Sequence, residues 1–272
     1  MSIHVPVLPR LSAFAVAALA ALVLSGCAGT APTDAGTRSD APVTNEQAQA
    51  RNRALIRLEL AIEYFRQGQT TVALDELKLS IAADPTFADA HNLRGLIYMQ
   101  LNDYRLADES FRRAMQLRSG DGNILHNYAW LLCQQDRFTE SFQYFGQAIA
   151  APRYTEAAKS YMAMGICQSR AGLRDEAERS LMRAYELDAG NPVAGMQLAQ
   201  LFFDRREYPR AQFYIRRINN TEQASAESLW LGMKVERAMG NQEALTQLGL
   251  QLKRRFPQSR QAIAFDRGAW NE

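Results

Sequence analysis

A pair of small residues, twelve positions apart, recurs six times along this sequence of 272 residues. Successive pairs begin 34, 34, 36, 34 and 33 residues apart. A repeat of this length is typical of stacked helix-turn-helix units, because each unit can bury its apolar face only against its neighbours. The pairs are Ala61 and Ala73, Gly95 and Ala107, Ala129 and Ser141, Gly165 and Ala177, Ala199 and Ala211, and Gly232 and Ala244.

Large apolar residues follow the small ones at fixed offsets. In five units a residue such as Tyr98 or Phe202 lies three positions after the first small residue, and residues such as Phe111 and Leu181 lie four positions after the second. Offsets of three and four place residues on one face of a helix. Small residues where two helices cross allow an antiparallel pair to approach closely, with the larger ones filling the gaps. The sequence therefore predicts an all-α fold.

The pattern resembles the tetratricopeptide repeat. Counted from 1 in each unit, small residues fall at positions 8 and 20, larger ones at 11 and 24, and Pro85 occupies position 32 of unit one, whereas the family's tryptophan at position 4 is absent throughout. The resemblance implies a right-handed α-solenoid of about six repeats within residues 46–272, closed by a C-terminal capping helix. The repeats are expected near residues 54–87, 88–121, 122–155, 158–191, 192–224 and 225–258, and the cap at 259–272.

Residues 1–26 have the features of a lipoprotein signal peptide. Residues 11–24 form an uncharged apolar run of 14, which is shorter than the ~20 residues needed to span a bilayer. The run leads into a Leu-Ser-Gly-Cys sequence ending at Cys27. This sequence resembles a bacterial lipobox and implies acylation of Cys27. An ordinary signal peptide followed by a chance cysteine is the alternative.

The residue after the lipobox and the stretch that follows it indicate where the protein resides. Ala28, rather than an aspartate, follows the cysteine. By the sorting rule for such lipoproteins this implies anchoring at the periplasmic face of the outer membrane. Residues 27–45 are rich in Ala, Gly, Thr and Pro and are expected to be a flexible tether. The helical pattern begins at about Asn45.

Turn-forming residues separate the two helices of a unit. Gly68, Asn102, Asp136 and Gly172 lie at these points and accept a left-handed backbone conformation. The interval of 36 residues places two extra residues between units three and four, near residues 152–156. We expect the direction of the stack to change slightly there.

The composition and motifs argue against several classes of protein. The net charge of +2 is too near neutral to indicate a nucleic-acid-binding protein. We find no phosphate-binding glycine loop, no nucleophile elbow and no metal-binding motif in the sequence. We therefore predict a protein that is not an enzyme, takes no small-molecule substrate, and uses no cofactor or metal.

Two histidines and two cysteines lie on neighbouring first helices. We predict that His91 and His126 are imidazoles facing the groove, and that Cys133 and Cys167 are buried free thiols. A disulfide between the two cysteines is the alternative, because the periplasm is oxidising. The spacing of the four residues does not match a structural zinc site.

The first helix of each unit is the expected binding surface. In tetratricopeptide arrays its positions 2, 5, 9, 12 and 13 face a concave groove, and here many of them are apolar. An exposed apolar groove is expected where a partner covers it. We predict an apolar or amphipathic protein segment as the ligand, either a helix or an extended strand. The predicted contact residues are Asn92, Leu96, Met99, His126, Trp130, Met162, Ile166, Met196 and Phe203.

Basic clusters occur at residues 112–113, 205–206, 216–217 and 253–255. We interpret them as parts of a solvated outer face. Contact with anionic lipid headgroups or with an acidic partner is the alternative.

Four local motifs extend the resemblance to one family of repeat proteins. They are LHNYAWLL at 125–132, RYTE at 153–156, REY at 206–208 and GLQLKRRFP at 249–257. Together with the lipobox and six repeats, they resemble the PilF/PilW lipoproteins of type IV pilus biogenesis. The resemblance implies a pilotin, which binds subunits of the pilus secretin and promotes their localisation and multimerisation in the outer membrane. The alternative is a repeat-scaffold lipoprotein of another envelope machine, such as outer-membrane barrel assembly.

Overall fold

The computed structural model describes residues 45–270; the predicted signal peptide, Cys27 and the tether up to residue 44 lie outside the described residues. Within this range the chain forms thirteen α-helices and no strand. They are α1 (Asn45–Arg66), α2 (Thr70–Ala83), α3 (Ala88–Gln100), α4 (Tyr104–Leu117), α5 (Gly122–Gln134), α6 (Phe138–Ala150), α7 (Ala157–Arg170), α8 (Arg174–Leu187), α9 (Pro192–Asp204), α10 (Tyr208–Asn219), α11 (Ala226–Ala238), α12 (Gln242–Arg255) and α13 (Arg260–Asp266).

The first twelve helices form six consecutive pairs, and each pair packs on the next. We call the odd-numbered helices α1 to α11 the A helices and the even-numbered helices α2 to α12 the B helices of units one to six. The prediction of an all-α solenoid of helix pairs is confirmed. Helix α1 has 22 residues, whereas α2 to α12 have 12 to 14.

The small residues lie where the two helices of a unit cross. A Cβ atom added at Gly95 would lie 2.7 Å from the buried ring of Phe111, and one added at Gly165 would lie 2.7 Å from Cγ of Leu181. Real Cβ atoms essentially never approach other atoms this closely. The glycines therefore make room for the large side chain that follows the second small residue. In unit three the buried Ser141 hydroxyl instead donates a hydrogen bond to the Ala129 carbonyl at 2.8 Å.

Every turn between an A helix and its B helix has the same geometry. One residue adopts a positive φ, and the next N–H donates to the carbonyl five residues earlier, as Asp103 does to Tyr98 at 2.9 Å. This arrangement satisfies helix carbonyls that would otherwise lack a partner. The predicted turn residues behave as expected, and Arg206 adopts a φ of 62° in unit five, where no glycine or asparagine signals it. The positive-φ residues are Gly68, Asn102, Asp136, Gly172, Arg206 and Gly240.

The insertion between units three and four folds back on the start of α5. Arg153 adopts a φ of 63°, and the Tyr154 ring then covers Gly122, where an added Cβ would lie 2.5 Å from the ring. The Tyr154 hydroxyl and the buried Ser160 hydroxyl are hydrogen-bonded at 2.7 Å. The extra residues thus supply an additional contact between two units.

The C-terminal segment closes unit six. The ring of Phe265 in α13 lies against Gly249 of α12, where an added Cβ would be 2.5 Å from the ring. The Trp270 indole stacks on that of Trp230 with the ring centroids 4.9 Å apart and the planes inclined by 6°. These contacts cover apolar surface that a further repeat would otherwise bury.

The prediction of free thiols at Cys133 and Cys167 is wrong, because the two residues form a disulfide. Their Cα atoms are 5.9 Å apart, which is within the range that a disulfide spans. The residues occupy positions 12 and 10 of adjacent A helices, and both side chains are buried. The spacing of the two cysteines along the sequence does not show whether their helices bring the sulfur atoms together.

No helix within residues 45–270 is long and apolar enough to cross a membrane.

Substitution of Gly95 by alanine tests the role of the small residues. We expect Gly95→Ala to lower the free energy of unfolding by about 1–3 kcal/mol, because the added methyl group overlaps the Phe111 ring. The matched control is Gly146→Ala in α6, where an added Cβ meets nothing within 4 Å. The control should raise stability by about 0.5–1 kcal/mol. Urea unfolding followed by circular dichroism measures both, and equal gains at the two sites would contradict the packing argument.

Candidate binding groove

Side chains from the A helices of the first three units line an open cavity of about 420 Å³, which we call the groove cavity. It contains three of the predicted contact residues, Leu96, Met99 and Trp130. All three are partly buried, so each keeps an accessible apolar surface. The full lining is Phe65, Leu96, Met99, Gln100, Asn102, Tyr104, Trp130 and Gln134.

The A-helix packing explains how these side chains come together. Leu96 follows Gly95, and Trp130 follows Ala129, so each is one step around the helix from a residue at the A–B crossing. A step of 100° turns the side chain away from the B helix and towards the neighbouring A helix. Leu96 therefore packs on the core shared with unit one and on the core shared with unit three.

The rim of the groove cavity is polar but carries no charged residue among its lining side chains. Gln100 and Gln134 occupy position 13 of adjacent A helices. The Arg170 guanidinium donates to the Gln134 side-chain carbonyl at 3.0 Å and to the Asp136 carboxylate at 3.0 Å. This fixes the Gln134 amide so that its NH₂ group remains available as a donor.

Asn92 lies on the same face but is engaged within the protein. Its side-chain carbonyl accepts a hydrogen bond from the Asn127 amide at 3.1 Å. The pair links α3 to α5, and Asn92 does not line the groove cavity. A ligand would reach Asn92 only at the atoms that this bond leaves free.

The predicted contact residues of the second half form a separate group. Met162, Met196 and Phe203 pack as partly buried side chains on the core between units four and six. The Lys234 ammonium lies 5.7 Å from the centroid of the Phe203 ring. Ile166 is partly buried as well. None of these four lines the groove cavity, so the predicted set divides into two regions.

The prediction that His126 faces the groove is wrong. Its imidazole is only 7% exposed, and Nδ1 is hydrogen-bonded to the Ser160 hydroxyl at 2.8 Å. The ring also packs edge-on against Phe145, with centroids 5.5 Å apart. Burial, together with the nearby Lys159 ammonium, lowers the pKa of His126 from 6.5 to about 4. The residue is a neutral part of the junction between units three and four.

His91 is buried in the same way. Its Nε2 atom lies 3.2 Å from the Pro85 carbonyl, to which it can donate a hydrogen bond. Burial lowers the pKa of His91, and the Arg94 guanidinium acts in the same direction. His126 and Asn92 both occupy position 5 of their A helices, which counting along the repeat places in the groove, but contacts between neighbouring A helices engage both side chains.

Sequence reasoning missed Tyr104 as a lining residue. It is the first residue of α4, directly after the turn, so it reaches the groove cavity from a B helix. Phe138 and Tyr208 occupy the equivalent position of units three and five. A recurring aromatic residue at position 17 was therefore an available signal.

Within residues 45–270, no group of three or more His, Cys, Asp or Glu side chains is placed to hold a metal ion. The groove cavity has an apolar floor and neutral hydrogen-bonding groups at its rim, and the stack of helix pairs holds both in place. A family model described as "Tetratricopeptide repeat" matches residues 88–121, which form unit two. Together the fold and this match define a tetratricopeptide-repeat solenoid protein.

Two similar proteins, PilF compared both by sequence and by structure and PilW compared by structure, narrow the class. "Type IV pilus assembly protein PilF" of Pseudomonas aeruginosa is 27% identical over 202 residues, covering 74% of this chain and 80% of that protein. The crystal structure of PilW, described as a "widely conserved type IV pilus biogenesis factor", matches with a TM-score of 0.71 and 30% identity over 78% of this chain and 97% of that chain. The structure of P. aeruginosa PilF matches with a TM-score of 0.69 and 26% identity over 81% and 98%. The chain belongs to the family of tetratricopeptide-repeat proteins that contains PilF and PilW.

The buried imidazole of His126 predicts a specific pH dependence of stability. Its pKa is about 4 in the folded protein and near 6.5 in the unfolded chain, so only the unfolded chain gains this proton between these values. The contribution of His126 is therefore complete above pH 6.5 and is lost as the pH falls towards 4. We expect His126→Gln to reduce the loss of stability between pH 7 and pH 4 by about 2–3 kcal/mol.

Urea unfolding at a series of pH values measures this difference. Carboxylates such as Glu236, whose pKa is lowered in the fold by hydrogen bonds that outweigh its burial, affect wild type and variant equally. They cancel in the comparison. An identical pH dependence in the two proteins would show that His126 is not held as a buried neutral base.

Proposed function

We propose that this protein is an outer-membrane lipoprotein of type IV pilus biogenesis that acts as a pilotin. It binds subunits of the pilus secretin and promotes their localisation and multimerisation in the outer membrane. Membership of the PilF/PilW family supports the role in pilus biogenesis. The observation that carries the binding mechanism is the groove cavity, where Leu96, Met99 and Trp130 present accessible apolar surface inside a neutral rim.

The chemistry of the groove cavity favours an uncharged apolar segment as the ligand. Desolvating a charged side chain against this floor would be unfavourable, because the lining offers no opposite charge. Methionine adapts to different side-chain shapes, and tryptophan buries a large apolar area at low entropic cost. In this proposal the groove covers an apolar segment of a secretin subunit and so keeps the subunit competent for assembly.

Acylation of Cys27 is the second part of the proposal. The lipobox sequence supports it, and Ala28 supports sorting to the outer membrane. The anchor would hold the repeat domain where secretin subunits insert. Because stable anchoring requires more than one acyl chain, a triacylated cysteine fits the role.

Truncation of the groove floor tests the binding mechanism. We expect Met99→Ala combined with Trp130→Ala to weaken secretin binding by about 10- to 100-fold, because two partly exposed apolar side chains are lost. The matched control is Ile56→Ala with Leu79→Ala, two exposed apolar residues of unit one outside the groove cavity.

Co-purification of the secretin and the amount of secretin multimer in the outer-membrane fraction measure the effect, and circular dichroism verifies that helicity is retained. An unchanged amount of secretin multimer in the variant with Met99→Ala and Trp130→Ala would show that the groove cavity is not the secretin-binding site. Capture of outer-membrane barrel precursors in place of the secretin would favour the barrel-assembly alternative.

Substitution of the lipobox cysteine tests the anchor. We expect Cys27→Ser to release the protein from the membrane fraction, because serine cannot form the thioether that carries the lipid. Secretin multimers in the outer membrane should decrease while the folded domain still binds secretin subunits in solution. Fractionation with immunoblotting measures both, and a variant that stays in the outer membrane would contradict acylation at this position.

A further inference from the structure

Charge is unevenly distributed between the two ends of the repeat domain. Residues 45–191 contain seventeen Lys or Arg and nineteen Asp or Glu. Residues 192–270, which form units five and six with the cap, contain twelve Lys or Arg and seven Asp or Glu. Although the net charge of the whole sequence is only +2, residues 192–270 are distinctly basic.

Two arginines on the B helices of this part, Arg217 and Arg254, have neither a carboxylate nor a backbone-carbonyl partner among the described residues, whereas Arg255 donates to the Glu222 and Ala224 carbonyls at 3.2 and 3.3 Å. Arg210 and Arg216 of α10 form ion pairs with Glu178 and Glu236 at 2.6 and 2.8 Å. Arg217 of α10 and Arg254 of α12 form no such pair, and both are exposed. Arg254 lies on the side of α12 opposite its buried residues, and Arg217 lies at the edge of the exposed face of α10, with its guanidinium also 6.0 Å from the centroid of the Tyr185 ring.

Exposed apolar side chains lie beside these two arginines. Phe213 is 55% exposed and precedes Arg217 by one helical turn, with the guanidinium 5.5 Å from the ring centroid. Leu250 is 65% exposed and precedes Arg254 by one turn. Arg217 and Leu250 occupy the same position in units five and six. We call these four residues, Phe213, Arg217, Leu250 and Arg254, the outer basic face.

This combination fits an anionic phospholipid surface. At a bilayer interface a guanidinium contacts headgroup phosphates while an adjacent apolar side chain enters the acyl boundary. An acidic protein surface would satisfy the arginines but gives no reason for Phe213 and Leu250 to be so exposed beside them. Four residues bind a membrane weakly by themselves, but a lipid anchor on the same chain raises their local concentration at the bilayer.

We propose that the outer basic face rests on anionic phospholipid of the membrane to which the chain is anchored. This rests on the anchoring proposed above. The groove cavity is formed mainly by A helices of units one to three, whereas the outer basic face belongs to B helices of units five and six. Docking on lipid therefore leaves Leu96, Met99 and Trp130 accessible to a protein partner.

A fluorescent label at position 250 tests the contact. The acylated protein carrying Leu250→Cys is labelled with an environment-sensitive dye and bound to vesicles of phosphatidylcholine, with or without phosphatidylglycerol. Cys133 and Cys167 are joined in a disulfide, and Cys27 is acylated, so the new thiol alone reacts. The matched control is Leu79→Cys, an exposed position on the B helix of unit one.

We expect brominated lipid to quench the label at position 250 at least threefold more in vesicles containing phosphatidylglycerol than in phosphatidylcholine alone. The label at position 79 should not distinguish the two vesicles. Arg217→Gln with Arg254→Gln should abolish the difference. Arg105→Gln with Arg179→Gln, which removes two exposed arginines paired with Glu109 and Glu176, should leave it intact.

Equal quenching at position 250 in both vesicle types would overturn the proposal. An unchanged difference in quenching when Arg217 and Arg254 are both replaced by glutamine would overturn it as well. If that variant also failed to co-purify an acidic protein that the unchanged protein retains, the two arginines would belong to a protein interface. Protein recovered without acyl chains, as judged by mass, would contradict the anchoring proposal alone. Flotation of this unacylated protein with the same vesicles would then test the lipid contact. The proposal requires that vesicle binding still depend on phosphatidylglycerol, Arg217 and Arg254.

Discussion

The close crossing of the A and B helices is the contact on which the rest of the structure depends. Gly95 lets the Phe111 ring approach the backbone of α3, and the same ring also reaches the next unit. It meets the Tyr128 ring edge-on, with centroids 6.4 Å apart. The same side chain therefore closes one helix pair and begins the interface with the following pair. A larger residue at the crossing would weaken both contacts, which is why the small residues recur with the period of the fold.

This use of the crossing residues decides where a binding surface can form. Residues at the crossing, such as Gly95 and Ala129, are fully engaged with the B helix. Their neighbours Leu96 and Trp130 point along the stack of A helices, where packing covers them only in part. Unit one supplies Phe65 and unit two supplies Met99, so the floor of the groove cavity exists only because three units are stacked. The surface is a property of the array and not of any single repeat.

The period of the sequence predicted the helix pairs and most of the turns, because small residues, large residues and left-handed turn residues are local requirements. It also placed Leu96, Met99 and Trp130 on one surface. It failed where neighbouring A helices compete for the same side chains. His126 occupies a groove position by counting, but Ser160 and Phe145 enclose it. Only the actual separation of α5 and α7 shows this, and the same separation decides that Cys133 and Cys167 are bonded.

These two failures concern one junction, that between α5 and α7. The two extra residues between units three and four lengthen the interval between the small-residue pairs to 36 residues at this junction. Two links then hold α5 against α7: the disulfide near the C-terminal ends of both helices, and the chain from Tyr154 through Ser160 to His126 near their N-terminal ends. A link at each end prevents both sliding and rotation of one helix on the other. The irregular interval is therefore a fixed connection between the unit that contributes Trp130 and the units that follow it.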